Sequence, residues 1–126
     1  PERIGAVDRR VVSIREASSL SKSVLGSDRA EFPVVIRVDS AGRLYGAIRG
    51  SVGNAKESML ALLSEKAPKY DVVERSSFSF VKNEAFVLIT LSRHCDPCAA
   101  MEDEFLKFAE LRSNIKFLVL EVRVEP

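Results

Sequence analysis

The chain has no tryptophan, a single histidine and only two cysteines among its 126 residues. Two cysteines are too few for a disulfide-stapled secreted domain, which usually carries several bridges at wider spacings. No GxSxG segment accompanies the single histidine, so nothing indicates a serine hydrolase. Glycine-rich phosphate-binding motifs of the GxGxxG and GxxxxGK kinds are also missing.

Neither sign of charge is in excess, since 19 Lys and Arg face 18 Asp and Glu for a net charge of +1. We therefore expect neither nucleic acid nor a membrane as a partner. The longest apolar runs, residues 86–91 and 117–120, are far too short to span a bilayer. The N-terminal stretch PERIGAVDRR lacks the apolar region of a signal peptide, and we expect a cytoplasmic location.

The apolar share of 46% is enough for a packed core, and the length fits one domain. Residue patterns predict strands at 10–14, 34–39, 44–49, 85–91 and 115–124, the last with one fully apolar face. They predict helices at 16–25, from Asn54 to about 67, and at 96–112, with a capping box formed by Asn54 and Glu57. Residues 70–81 are rich in β-formers and fit one bent strand or two short ones. The sequence thus predicts an α/β fold with a mixed sheet.

The two cysteines stand three apart, in the string HCDPC, directly after a predicted buried strand and at the start of a predicted helix. At a helix N-terminus, unpaired N–H groups and the helix dipole favour the thiolate, which is the form that attacks a disulfide. The second thiol, one turn on, can resolve the mixed disulfide that results. The spacing therefore predicts Cys95 as the nucleophile and Cys98 as the resolving thiol.

Three neighbouring residues are predicted to support this chemistry. Pro97 suits the first turn of a helix, where its missing N–H would have had no partner. Arg93 and His94 favour the Cys95 thiolate, which Asp96 opposes, and His94 could also act as a proton shuttle.

Other interpretations of the cysteines compete with this one. A closed zinc site needs four ligands, and this chain offers one Cys pair and His94, so it would have to recruit carboxylates or a second chain. We therefore expect no metal. Cys95 and Cys98 could also be two ordinary cysteines, one of them buried on a helix face. The acidic run at residues 102–104 is interpreted as a solvated helix face.

The stretch FVLITLSRHCDPCAAMEDEFLKFAELRSNIKFLVLEVRVEP resembles the N-terminal half of a thioredoxin-like domain. In that family a central strand leads into WCxPC, a long helix and a further strand. The resemblance implies disulfide exchange with protein substrates and no bound cofactor. His94 stands where the family often has Trp, and Ile89 stands where many thioredoxins place a buried Asp that helps to move protons.

The N-terminal stretch RRVVSIREASSLSKSVLGSDRAEFPVVIRVDSAGRLYGAIRGSVGNAKESMLALLSEKA resembles the C-terminal half of the same family. Pro33 lies where the family has a cis-proline, and Gly42 and Gly50 have the spacing of its hairpin glycines. The resemblance implies that the Phe32–Pro33 bond is cis and faces the dithiol. It also implies that the Phe32 backbone binds an extended substrate peptide by strand addition.

Together the two matches predict one thioredoxin-like domain over residues 1–126 with its elements in permuted order. Residues 7–68 resemble the family's C-terminal half and residues 84–126 its N-terminal half. A segment across two tandem domains, as in tandem glutaredoxin-like protein disulfide oxidoreductases, is the alternative. Residues 10–14 and 115–124 look like the same family strand. The surplus strand would pair at a sheet edge or with another chain, which would form a homodimer.

The string FPVVIRVDSAGRLYGAI also resembles a CBS module, whose strand–turn–strand supports nucleotide binding. CBS modules act in pairs, and the chain contains no second copy. The alternative function is therefore a non-catalytic binding module, either CBS-like or a redox-inactive thioredoxin-like scaffold.

Overall fold

A computed structural model describes residues 7–26, 31–50, 53–69, 84–92, 95–112 and 114–123. These residues form an α/β arrangement, as the sequence predicted. Its elements are β1 (Val7–Ser13), α1 (Ile14–Leu25), β2 (Val34–Val38), β3 (Leu44–Arg49), α2 (Ala55–Ser64), β4 (Phe86–Ser92), α3 (Asp96–Leu111) and β5 (Lys116–Arg123). The predicted strand region at 70–81 lies outside the described residues, as do Arg93 and His94.

The five strands form one mixed sheet in the order β1-β5-β4-β2-β3. β5 is parallel to both β1 and β4, and β2 is antiparallel to both β4 and β3. β1 lies at the edge, where Val7 pairs with Phe117 and Ser13 with Arg123. The surplus strand therefore pairs at the edge of its own sheet, one of the two arrangements that the sequence left open.

Helices cover both faces of the sheet. On one face, α2 and α3 contact each other and enclose a core whose centre includes Met59, Phe105 and Phe117. Phe105 and Phe117 meet edge to face, with ring centroids 5.2 Å apart. On the other face, α1 contributes Leu20 to a second core with Leu88 and Leu118.

β5 is buried on both of its faces, whereas the sequence predicted one fully apolar face. Leu118 and Leu120 are fully buried on the α1 side, but Phe117 and Val119 are also fully buried on the side of α2 and α3. A parallel strand between two neighbours, with helices on both faces, loses solvent on both sides. After this buried stretch, polar side chains return on β5 at Glu121 and Arg123, beyond the two cores.

The capping box lies at a different helix from the one that the sequence predicted. Asn54 precedes α2 but makes no side-chain capping bond, so the capping box predicted there is wrong. The capping box lies instead at α1, where the Ser13 hydroxyl accepts from the Glu16 N–H and the Glu16 carboxylate accepts from the Ser13 N–H. Two apolar residues of α2 and α3, Leu60 and Leu111, are 40% and 77% exposed and so lie outside the cores.

The C-terminal end of α2 is held by an arginine from the sheet. Arg37 on β2 donates from Nη1 to the carbonyls of Leu62, Leu63 and Glu65, at 2.9–3.3 Å. Its guanidinium also stacks over the Tyr45 ring at 3.9 Å from the centroid. A cation here satisfies carbonyls that the last helical turn leaves without partners.

Candidate redox-active site

β4, the middle strand of the sheet, leads into the two cysteines. Cys95 is the N-cap residue of α3, and Cys98 lies in its first turn. The two are joined by a disulfide with their Cα atoms 5.3 Å apart, and the Cys98 N–H donates to the Cys95 carbonyl at 3.1 Å. Cys98 is buried, with 4% of its surface exposed, whereas Cys95 is half-buried. The attacking thiol expected from the sequence is therefore the more accessible of the pair.

The fold places this disulfide at the carboxyl end of the parallel strands β4 and β5. In an open α/β sheet, clefts form beyond the carboxyl ends of parallel strands, where the following helices begin. Pro97 lies in the first turn of α3, as predicted, and both Pro97 and Asp96 are exposed. The N-terminus of a 16-residue helix thus points its unpaired N–H groups toward the Cys95 end of the bridge.

A second segment approaches the same edge of the sheet from β2. The Phe32–Pro33 peptide bond is cis, as the resemblance implied. Val34 pairs with Thr90 on β4, two residues before the strand ends. Thr90 Oγ1 donates to the Glu31 carbonyl at 3.1 Å, and the Gly50 N–H donates to the Pro33 carbonyl at 2.9 Å.

Phe32 lies between Glu31 and Pro33, whose carbonyls accept these two hydrogen bonds. Its side chain and that of Cys95 pack against the same core beneath α3. Within the described part of the chain, no backbone hydrogen bond involves Phe32. Phe32 therefore has a backbone N–H and a carbonyl that no other described residue pairs with.

An ion pair fixes the flank of this segment. Arg49 at the end of β3 donates from Nε and Nη2 to the carboxylate of Glu31. The hydrogen bond from Arg49 lowers the pKa of Glu31 and outweighs the opposing effect of burial, and the positive charge of Arg49 adds a smaller lowering. Glu31 therefore stays ionised and keeps its link to β3 well into the acid range.

A groove of about 240 Å³ opens beside the disulfide, on the side of β5 and β1. Besides both cysteines it is lined by three charged residues that sequence reasoning missed as site residues: Arg9 on β1, Glu102 on α3 and Glu121 on β5. Glu102 was expected on a solvated face, but its side chain is only 23% exposed and forms an ion pair with Arg9. A signal was present in the spacing, because Glu102 follows Cys98 by four residues and so shares its helix face.

Comparisons of the chain with protein-family models, with curated proteins and with solved structures found no match. None of the described helices combines the length and apolar character that crossing a bilayer requires. The described residues also contain no cluster of three or more His, Cys, Asp or Glu side chains suited to a metal ion. The geometry of the site itself therefore carries the functional argument.

Proposed function

We propose that the protein is a thiol–disulfide oxidoreductase that exchanges disulfides with protein substrates through Cys95 and Cys98. The observation that carries the proposal is the disulfide at the N-terminus of α3, directly beyond the middle strand of the sheet. A bridge between residues three apart closes almost no loop, so it constrains the unfolded chain little and its value is chemical. No bound cofactor is needed, because the electrons move in the exchange itself.

The arrangement also supports a thioredoxin-like fold in permuted order. A central strand leads into the CxPC motif, a long helix and a further strand, as in that family. The Phe32 segment and the β2–β3 hairpin, which resemble the family's C-terminal half, join the same sheet from earlier in the chain. The proposed fold is thus one domain in which the two halves appear in reversed order.

The reaction uses both thiols in turn. In the reduced protein the Cys95 thiolate attacks a substrate disulfide, forms a Cys95–substrate bond and releases one substrate thiolate, which takes up a proton. Cys98 loses its proton and attacks Cys95 Sγ, which breaks the bond to the substrate and releases the second thiolate. Two electrons pass to the substrate, and the Cys95–Cys98 disulfide is restored. The Phe32 backbone would hold the substrate peptide by strand addition during both steps.

The proposal is tested by reduction of insulin disulfides with dithiothreitol as the electron donor. We expect wild type to accelerate insulin precipitation and Cys95→Ser to abolish the acceleration, because no nucleophile remains. Cys98→Ser should lose turnover. When the reduced variant is mixed with insulin after the dithiothreitol has been removed, it should accumulate a covalent mixed disulfide, visible by mass spectrometry, because the first step still proceeds.

The two serine variants are matched controls for each other, since each removes one sulfur. Wild type without activity, or Cys95→Ser with full activity, would exclude the oxidoreductase. Alkylation of the reduced protein gives a second measure: iodoacetamide at pH 7 should modify half-buried Cys95 well before buried Cys98.

A further inference from the structure

The groove beside the disulfide contains ionisable side chains that take no part in the exchange between the two thiols and the substrate. The buried Cys98 borders it, and so do the carboxylates of Glu102 and Glu121. During each catalytic cycle Cys98 must give up a proton and later regain one. With 4% of its surface exposed, it has little direct contact with bulk water for that exchange.

The register of the sheet directs Glu121 toward Cys98. Phe117, Val119 and Glu121 lie two apart on β5, so they share one face of the sheet. The first two pack in the core beneath α3, and Glu121 continues that row past the core at the carboxyl end of the strand. It pairs in register with Leu91, just before β4 gives way to the cysteines. Its side chain is 27% exposed, so it is shielded on the protein side and reached by water through the groove.

The middle strand supplies no such group. Ile89 lies on β4, fully buried within the core that also contains Cys98. Leu91 and Ser92, which border the groove from the end of β4, carry no ionisable side chain either. Among the described residues that line the groove, the side chains able to accept a proton from Cys98 are therefore the carboxylates on β5 and α3.

We propose that Glu121 is the proton acceptor for Cys98 when the mixed disulfide is resolved, and the proton donor when the disulfide is reduced again. This proposal rests on the proposed function. In resolution the Cys98 thiol proton passes to the Glu121 carboxylate, directly or through one water in the groove. The Cys98 thiolate then attacks Cys95 Sγ, and the proton leaves Glu121 for solvent. In the reductive step a thiolate of a dithiol electron donor attacks Cys95 Sγ and forms a mixed disulfide, and the departing Cys98 thiolate takes a proton from the Glu121 carboxylic acid. The second thiol of the donor then displaces Cys95, so that the donor is oxidised and both cysteines are reduced.

The charged neighbours favour Glu121 over Glu102 in this role. Glu102 is held in an ion pair with Arg9 from β1, and protonation would break that pair. The ion pair that the described residues give Glu121 is looser, with Arg123 Nε on the same strand 3.6 Å from the carboxylate. The other charged group described at this end of α3 is Asp96, whose side chain is exposed. Arg93 and His94 are close to Cys95 in sequence, and His94 is included in the test.

The experiment mixes the reduced full chain with 5,5′-dithiobis(2-nitrobenzoate) and follows thionitrobenzoate by stopped-flow absorbance from pH 5.5 to 9. Attack by Cys95 releases the first equivalent, and resolution by Cys98 releases the second. We expect Glu121→Gln to slow the second release by about tenfold or more at pH 7, the scale of a lost general base. The first release should change by less than about twofold. At high pH the two proteins should converge, because solvent then deprotonates Cys98.

Chemical rescue separates proton transfer from a change of structure. Added acetate should restore the second release in Glu121→Gln, and Glu121→Asp should keep part of the rate. Asp103→Asn, which removes an exposed carboxylate from α3, is the matched control and should retain the wild-type pH dependence of the second release. Glu102→Gln and His94→Gln test the competing acceptors, and a loss of the second release in either that equals the loss in Glu121→Gln would overturn the proposal. An unchanged second release in Glu121→Gln, or a slowed release that acetate does not restore, would overturn the proposal. A wild type that releases no second equivalent would instead remove the oxidoreductase function itself.

Discussion

Asp39 organises the turn between β2 and β3 through one side chain. Its Oδ1 accepts from the backbone N–H groups of Ala41 and Arg43 at 2.9 and 2.8 Å, and its Oδ2 accepts from Arg43 Nε at 2.9 Å. Burial alone would raise the pKa of Asp39, but these hydrogen bonds and the charge of Arg43 outweigh it, so the pKa lies below its ordinary value of 3.8. The ionised form of Asp39 therefore stabilises the folded state.

The sign of the pH dependence follows from that lowered pKa. A carboxyl group with a lower pKa in the folded than in the unfolded chain contributes stability above its unfolded pKa, and that contribution disappears as pH falls through the folded pKa. We expect Asp39→Asn to lower the free energy of unfolding by about 1 kcal/mol at pH 7. Below about pH 3, in contrast, the variant and wild type should differ little. Urea unfolding at the two pH values measures both differences.

Arg43→Met is the matched control, because it removes the side-chain bond and leaves the two backbone bonds to Asp39. It should cost less than Asp39→Asn at pH 7. A difference between Asp39→Asn and wild type that persists undiminished in acid would contradict the assignment of the stability to the ionised carboxylate.

Site residues that belong to a local sequence motif were predictable from the sequence, whereas site residues that only the tertiary fold brings together were not. Cys95 and Cys98 are three apart in a strand–CxPC–helix context, which local rules of helix termini already interpret. Glu121 and Arg9 acquire their positions only when β5 is placed beside β4 and β1 beside β5. No spacing along the chain contains that information.

Among the elements, α1 shows how a boundary error conceals a capping motif. Ser13 and Glu16 have the S-x-x-E pattern of a capping box, but the predicted strand included Ile14 and the predicted helix began at residue 16, whereas α1 begins at Ile14. Asn54 and Glu57 have the same spacing, and there the predicted box does not close. The pattern identifies where a cap can form, whereas the backbone entering the helix decides whether it does.

This contrast gives a prediction for the two helices. Ser13→Ala should lower the free energy of unfolding by about 1 kcal/mol, because two N–H groups lose their capping arrangement. Asn54→Ala should cost only a few tenths of a kcal/mol, since no side-chain capping bond is lost. Chemical denaturation measures both.

Ser19→Ala controls for the change of residue type, because Ser19 is exposed within α1. It should leave stability unchanged or raise it slightly, since alanine favours helix. Equal losses for Ser13→Ala and Ser19→Ala would show that the capping bonds contribute nothing.

For the whole molecule, the sheet joins two cores that lie on opposite faces. Leu118 belongs to the core beneath α1, and its neighbours Phe117 and Val119 belong to the core beneath α3. Since both cores share β5, loss of packing on either face should destabilise the same strand. The described fold is then expected to unfold as one cooperative unit.

Truncation of one residue in each core tests this expectation. We expect Leu118→Ala to lower the free energy of unfolding by about 2–5 kcal/mol. Val119→Ala should also be destabilising, by a smaller amount because fewer carbons are lost. Each should shift a single transition that is the same by far-UV circular dichroism and by near-UV absorbance. Val11→Ala, at a position 55% exposed on β1, is the control and should change stability by less than about 0.5 kcal/mol. Two separate transitions in either core variant would show that the faces unfold independently.

At this scale the sequence predicted the α/β fold class with a mixed sheet and the bounds of most strands within a few residues. It left the place of the surplus strand open, because residues 10–14 and 115–124 have nearly the same β-branched pattern. Pairing between β1 and β5 is non-local, and no local propensity encodes which neighbour an edge strand chooses.

The position of β1 also bears on how the chain assembles during synthesis. β1 and β2 leave the ribosome early, yet they are not neighbours in the sheet, because β5 and β4 lie between them. β2 can pair with β3 and then with β4 as these emerge, but β1 has no neighbour in the sheet until β5 has been made. Contacts between such distant parts of the chain are slow to form. Until β5 has been synthesised, the backbone N–H and C=O groups of β1 are unpaired and can bind other chains. Correct pairing of β1 therefore depends on the synthesis of β5.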